Sequence, residues 1–378
     1  MGRQVKILAD YNIPKVEALF NTLGHVELVD GRKLGAQQLR DVDVLLVRSV
    51  TQVDRTLLQD SGVSFVGSAT AGFDHIDIGY LAERDITLSL ASGANAESVV
   101  EYVIAAICSQ PRFLDAIFRG APVGIVGFGH VGSRLARVLH ALGVKVKVYD
   151  PYVDCGVFGS DLDTVLACTV VSLHCELSKQ GDFPSWHLLD STRLQSLHSD
   201  QLLINAARGG VIDNIALVER LHMSNAPVVI LDCWEGEPDV QLDLVPLVAV
   251  ATPHIAGYSY DGKIRGSLCL RDDLARFLGK SGGGSTELKP ARVVVDAAAS
   301  VAALLKHLIS SVYRIEKDDQ AFRYALTETN TQLHWFDQLR RDYPVRRELL
   351  GAEVLTAHED AALSVIQRCF RLQLIWSD

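Results

Sequence analysis

The sequence predicts an α/β protein: two Rossmann-like lobes, each a doubly wound parallel sheet, with an active-site cleft and a small C-terminal α+β domain. Three observations predict it. The chain has 378 residues, about two to three times the usual domain size. Short apolar runs alternate with helical patterns in two successive series, a βαβ rhythm that builds parallel sheets. A glycine- and serine-rich stretch at 279–285, GKSGGGS, reads as a linker to a charge-rich tail of about 90 residues.

In the first series, residues 5–9 read as a strand, 14–24 as a helix, and 42–48 and 64–67 as strands. Asn95 is placed to cap a long helix whose Val99, Val100, Val103, Ile104 and Ile107 follow the 3.6-residue period, leading from one lobe into the next. The second series has apolar runs at 123–126, 144–149, 169–173, 202–205, 228–231 and 248–251, enough for a doubly wound sheet. In the tail, Val301, Leu304, Leu305, Leu308 and Val312 share a helical face that serves either its own core or a dimer seam.

Composition narrows the function. Lys plus Arg number 36 against 46 Asp plus Glu, a net charge of −10, which argues against a nucleic-acid surface. An anionic small molecule must then be met by a few local donors. No apolar run reaches the roughly 18 residues of a membrane span; the longest, at 99–108, carries Glu101 and Tyr102. MGRQVKILAD has no cleavable apolar core, and Lys6 stands where a myristoylation signal wants Ser or Thr. The seven cysteines are scattered and never in a C-x-x-C pair, so neither a disulfide framework nor a zinc site is expected and the expected compartment is the cytoplasm.

VGIVGFGHVGSRLARVLHALG puts Gly127, Gly129 and Gly132 in G-x-G-x-x-G spacing after a strand and before a helix that stops at Gly143. The mechanism needs that context: a tight turn, close backbone approach to a pyrophosphate, and helix-terminal N–H groups facing its charge. A second strand, VKVKVYD, ends in Asp150. An acid there accepts hydrogen bonds from the adenosine ribose and repels a 2′-phosphate, so the expected cofactor is NAD rather than NADP. The plainer reading gives the glycines only a packing role.

Three later strands end in polar residues: LLINAARG in Arg208, VVILDCWEGEP in Asp232 and Glu237, VAVATPHIAGY in His254. Ligands of open α/β sheets bind outside the carboxyl ends of the strands, so these groups can converge. Oxidising a secondary alcohol needs a base for the hydroxyl proton, a task suited to imidazole. A carboxylate such as Glu237 would orient the ring and raise its pKa, and Arg208 offers a planar fork to a substrate carboxylate. Singly, each has a blander role: a surface ion pair, turn chemistry, a loop contact. Together they favour catalysis. His75 and His174 lack partners at metal spacing, so no metal is expected, and Cys175 and Cys233 read as buried spectators.

On these motifs the chain resembles the D-isomer-specific 2-hydroxyacid dehydrogenase family. A narrower resemblance, to one branch of it, rests on LADYNIP, VRSVT, GSATAGFDHID, VVEYV and FDQLRRDYPVRRE. It implies NAD-dependent oxidation of a small phosphorylated 2-hydroxy acid in pyridoxal phosphate biosynthesis, catalysed by Arg208, Glu237 and His254, with a C-terminal domain that makes a homodimer. Substrate would touch Ser49, Thr70 and Tyr258; NAD would touch Asp150, Cys175, the backbone of Ala206, Ala207 and Arg208, Asp232 and Gly257. At Cys175 the family commonly has Thr, and 107–124 departs from its pattern. Arg48, Arg346 and Arg347 are candidates for the substrate phosphate. The expected division is a substrate-binding lobe of 1–95 with about 258–280, an NAD-binding domain of 96–257, a linker at 281–290 and a C-terminal domain of 291–378. A phosphoglycerate or hydroxypyruvate type of dehydrogenase, or a non-catalytic NAD sensor on the same fold, would carry the same central motifs.

Overall fold

Apolar runs become buried strands wherever both faces of a parallel sheet are covered, and this rule organises the protein. In the computed structural model, the described residues are 3–376 without 284–287, 296–299, 329–334 and 358–360. Gly284 and Ser285, the end of the expected linker stretch, lie outside them. The chain forms two compact units, Met1–Asn95 with Ser259–Lys289, and Ala96–Tyr258 with Pro290–Asp378.

The first unit holds a five-stranded parallel sheet in the order β2-β1-β3-β4-β5, from β1 (Lys6–Asp10), β2 (His25–Val29), β3 (Val44–Val47), β4 (Phe65–Ser68) and β5 (Thr87–Leu90). β3 and β4 are buried throughout. The strands β2 and β5, which the apolar runs do not reveal, are the sheet's edges: HVELV is mostly exposed and TLSL only partly buried, so neither carries an apolar run. One face is closed by the helix Tyr260–Phe277, whose Leu270 and Leu274 join Phe20 and Phe65 in the core. Ser259 caps that helix, accepting from the Gly262 N–H at 2.9 Å.

In the second unit the six expected runs all form strands: β6 (Val123–Val126), β7 (Val146–Tyr149), β8 (Val170–Leu173), β9 (Leu202–Asn205), β10 (Val228–Leu231) and β11 (Val250–Ala251). They form one parallel sheet in the order β11-β10-β9-β8-β6-β7. Strand β6 has β7 on one side and β8 on the other, so the winding reverses there and opens a crevice at their carboxyl ends.

The long helix Ala96–Cys108 departs from its amphipathic pattern: all 13 residues are buried. The tail covers the face that the pattern leaves polar. Glu101 Oε1 accepts from the N–H groups of Leu349 at 2.7 Å and Leu350 at 3.1 Å, and Arg134 pairs with Glu97 at 2.8 Å. Leu304, Leu305 and Leu308 of the helix Val301–Val312 join the same core, which resolves that stripe as core. The tail adds three parallel strands, β12 (Arg292–Val295), β13 (Glu353–Thr356) and β14 (Gln373–Trp376). It also covers the edge of the six-stranded sheet, where Asp319 accepts from the β11 N–H of Ala251 at 2.8 Å. Among the described residues no helix is long and apolar enough to cross a membrane.

Candidate active site

The glycine turn after β6 separates into two packing glycines and one open one. Gly127 has φ +98°, and a Cβ there would lie 2.7 Å from the backbone of His174 and Cys175, the residues that leave β8. At Gly132 a Cβ would come within 1.9 Å of the Gly127 carbonyl oxygen, so this glycine lets the helix His130–Ala141 close onto the turn. Gly129 is different, since a Cβ there would meet nothing within 4 Å. No packing reason excludes a side chain at Gly129, and bare backbone at an uncapped helix N-terminus is the surface a pyrophosphate needs. Asp150 stands beside the turn, its Oδ2 accepting from the Phe128 N–H at 2.7 Å and its Oδ1 from that of Tyr152 at 3.0 Å. The donors and the acid therefore fit a dinucleotide.

The ends of β9, β10 and β11 form one hydrogen-bonded assembly. Asn205, the last residue of β9, accepts from the Ala207 N–H at 3.1 Å and donates to the Arg208 carbonyl at 3.0 Å, folding the NAARG turn. Ala206 is half-buried and Ala207 buried in that turn. A Cβ at Gly209 would lie 1.9 Å from the Trp234 carbonyl carbon; this contact seats the Arg208 loop against the loop that carries Glu237. The half-buried Arg208 guanidinium donates to the Ala207 carbonyl at 2.9 Å.

Glu237 and His254 are joined directly. Glu237 Oε1 is hydrogen-bonded to His254 Nδ1, and Oε2 accepts from the Trp234 N–H at 3.1 Å. Burial pushes against both charges. For Glu237 the adjacent imidazolium outweighs it and holds the carboxyl below its ordinary range. Burial likewise opposes the charged ring of His254, and the Glu237 carboxylate bonded to Nδ1 outweighs it, raising the imidazole above its ordinary value. Burial lifts the Cys233 thiol, which is therefore neutral at pH 7, and Glu237 is the anion that matters. His254 itself has φ +56°, a left-handed conformation rare outside glycine, held by its surroundings.

Asp232 supplies that hold. It is 1 % exposed, and its carboxylate accepts from Thr252 Oγ1 at 2.7 Å and from the N–H groups of Ile255 at 2.8 Å and Ala256 at 2.9 Å. The same carboxylate, expected at the cofactor, ties the 252–256 loop together. A brace that the motifs did not reveal lies nearby: His187 Nε2 meets Glu235 at 2.6 Å and Nδ1 meets Asp213 at 3.6 Å, linking three loops with a spacing that could also hold a cation.

The remaining expected residues fall in varied settings. Ser49 is exposed in the turn after β3, and Thr70, after β4, shares a 2.9 Å hydrogen bond with Ser68. His75 bonds Ser68 at 3.1 Å, and His174 bonds Ser172 at 2.8 Å, its pKa lowered by burial to about 3; both serve local structure. Burial pushes the Cys175 thiol up to about 12. Arg48 lies 3.1 Å from Asp10, and Arg347 is half-buried. Arg346, expected at a phosphate, is 4 % exposed. Its guanidinium donates to the carbonyls of Ser98 at 2.5 Å and Ile255 at 3.4 Å and lies 3.8 Å from the Tyr313 ring centroid, an internal brace rather than an anion site.

Gly257 and Tyr258 are half-buried beyond His254. Tyr258 brings a residue that the motif reading passed over. Arg340 Nε donates to its hydroxyl at 3.1 Å. Burial works against that guanidinium, but Tyr258 and Glu237 outweigh it and raise its pKa. The signal in the sequence is the FDQLRR run at 336–341, whose arginines precede the Arg346–Arg347 pair.

Residues 92–256 match the family model for the NAD binding domain of D-isomer specific 2-hydroxyacid dehydrogenases, and 288–368 match a domain of unknown function, DUF3410. This match and the fold define an NAD-dependent oxidoreductase of the 2-hydroxyacid type. An erythronate-4-phosphate dehydrogenase of Pseudomonas entomophila is 44 % identical over 357 residues, covering 92 % of this chain and 93 % of that protein. One from Shewanella violacea is 41 % identical, covering 94 % and 96 %. The chain belongs to the erythronate-4-phosphate dehydrogenase family. In fold it is similar to D-lactate dehydrogenase from Aquifex aeolicus, solved with NAD and lactic acid (TM-score 0.61, 22 % identity, 72 % of this chain and 95 % of that one). It is also similar to NAD+-bound 3-phosphoglycerate dehydrogenase of Entamoeba histolytica (TM-score 0.59, 21 % identity, 73 % and 96 %).

Proposed function

We propose that the protein oxidises 4-phospho-D-erythronate to (R)-3-hydroxy-2-oxo-4-phosphooxybutanoate with NAD, as a step of pyridoxal 5′-phosphate biosynthesis. The observation that carries the reading is the His254–Glu237 pair, side by side with the Arg208 loop at the carboxyl ends of three adjacent strands, in a chain whose full-length relatives bear that enzyme's name. NAD, when bound, accepts the hydride that leaves C2. Gly127, Gly129 and Gly132 shape its pyrophosphate turn, and Asp150 takes its ribose. Cys175, the backbone of Ala206 to Arg208, and Gly257 line its path, with Asp232 acting through the loop it ties together.

The residues divide the rest of the work. Arg208 binds the substrate carboxylate and the neighbouring C2 oxygen through its planar fork, which fixes the C2–H bond for transfer. With Nδ1 engaged by Glu237, Nε2 is the His254 atom that takes the C2 hydroxyl proton, and it does so from the neutral ring, so the oxidation is favoured as pH rises toward the raised His254 pKa. Glu237 stabilises the imidazolium so formed, the role that its direct bond to Nδ1 supports. Ser49, Thr70 and Tyr258 are substrate contacts in this reading. Residues 1–95 with about 258–280 then serve as the substrate-binding lobe, and 96–257 as the NAD-binding domain.

The tail, 291–378, is read as the homodimerisation domain of a cytoplasmic enzyme. Its support is a row in register across the three-stranded sheet, Val294, Leu355 and Ile375, with Val294 65 % and Ile375 38 % exposed, an apolar strip that a second copy can cover. Sedimentation at micromolar concentration tests it. For the activity, NADH formation with 4-phospho-D-erythronate is compared with 3-phosphoglycerate and glycerate; absence of turnover with the first would falsify the substrate assignment.

A further inference from the structure

The tail reaches the candidate site at several points, Tyr343 lying edge-on to the Tyr258 ring at 5.8 Å among them, and one of these points is Arg340. The helix Trp335–Arg341 is anchored by an aromatic chain. Trp234 stacks on Phe322 at 5.3 Å, and Phe322 meets Trp335 at 4.9 Å and Phe336 at 6.2 Å. Trp234 is also the residue whose N–H holds Glu237 at 3.1 Å. The helix is therefore set in register with the loop that orients His254. Near its end, the Arg340 guanidinium carbon lies 5.6 Å from the Tyr258 ring centroid while Nε donates to the hydroxyl at 3.1 Å. Glu237 acts on the same guanidinium electrostatically.

Arg340 has donors in reserve. Its side chain is 21 % exposed, its approach to Asp337 is 3.8 Å, beyond hydrogen-bond range, and its Nη atoms make no hydrogen bond among the described residues. A partly desolvated guanidinium with unspent N–H groups is the side chain best matched to phosphate oxygens. The electrostatics point the same way: a phosphate bearing about two negative charges brought near Glu237 needs a cation beside it. Arg346 is committed inside the fold.

We propose that Arg340 recognises the phosphate of the substrate and is the means by which the C-terminal segment sets specificity, an inference that rests on the reaction proposed above. The two are tested separately. Wild-type turnover of 4-phospho-D-erythronate tests the reaction. The inference is tested by the affinities of the enzyme–NADH complex for 4-phospho-D-erythronate and for D-erythronate, from NADH fluorescence, in the wild type, Arg340→Gln and Arg340→Lys.

The wild type should prefer the phosphorylated compound strongly, and R340Q should weaken its binding by about a hundredfold, the range for truncating one partner of a desolvated charge pair, while changing D-erythronate binding less than about threefold. R340K should recover part of the preference. Equal losses for both compounds would make Arg340 a support for Tyr258 only, and an unchanged preference would remove it from the site; either overturns the proposal. Unaltered NADH affinity and melting temperature in R340Q exclude misfolding as the cause, and R340K provides the comparison if R340Q is unstable.

Discussion

The strand-end loops of the two units are held very differently. In the second unit, Asp232 ties Thr252, Ile255 and Ala256, the Trp234 indole donates to the Thr252 carbonyl at 2.9 Å, and Gly209 packs against Trp234. In the first, Ser49 sits in an exposed turn, and Thr70 is restrained by Ser68 at 2.9 Å and a 3.5 Å contact to the Gly72 carbonyl. Proton and hydride transfer require reacting atoms held within a fraction of an ångström, whereas gripping a substrate tolerates looser donors. The chemistry is assigned to the over-determined loops for that reason.

The sharpest way to break this comparison is at the rigid end. His254→Gln should lower kcat about a thousandfold, within the range for a general base, with NAD affinity retained; kcat within tenfold of wild type would remove His254 from proton transfer. Next, Glu237→Gln should lower kcat about a hundredfold and move the acidic limb of the kcat/KM profile to lower pH. The sign follows from the pair: Glu237 raises the His254 pKa, so its removal lets the ring lose its proton at lower pH. An acidic limb that stays in place would detach Glu237 from the imidazole.

The same pair couples stability to pH. The raised His254 pKa contributes stability below the ordinary value of 6.5, lost as pH rises through the raised value. The lowered Glu237 pKa contributes above 4.5, lost as pH falls through it. The melting-temperature gap between wild type and E237Q should therefore be widest at intermediate pH.

Asp232→Asn should cost about 3 kcal/mol, the scale of hydrogen bonds to a buried charge, read as a lower denaturant midpoint; a loss near zero would show that the loop holds without it. The glycines separate packing from binding. Gly132→Ala should destabilise by about 1–3 kcal/mol, while Gly129→Ala should leave stability within about 0.5 kcal/mol and raise KM for NAD. Smallest are Ser49→Ala and Thr70→Ala, expected to raise substrate KM about three- to tenfold, the worth of a single hydrogen bond, with kcat nearly unchanged. A collapse of kcat in either would put the softer loops on the same footing as the rigid ones.

What the sequence determined by itself were features whose cause is local. The six buried runs of the second sheet followed from apolar periodicity, the glycine turn from the sterics of a strand entering a helix, and Arg208, Glu237 and His254 from their places at strand ends. The edge strands β2 and β5 escaped because a strand covered on few sides needs no apolar run. Only the tertiary structure decided which distant segment meets which. It buried every residue of the helix Ala96–Cys108, turned Arg346 inward, spent the Asp232 carboxylate on a loop, and carried Arg340 to a tyrosine 82 residues away. Spacing along a chain reports the periodicity of one element, whereas a charge's role depends on the partners that folding brings to it.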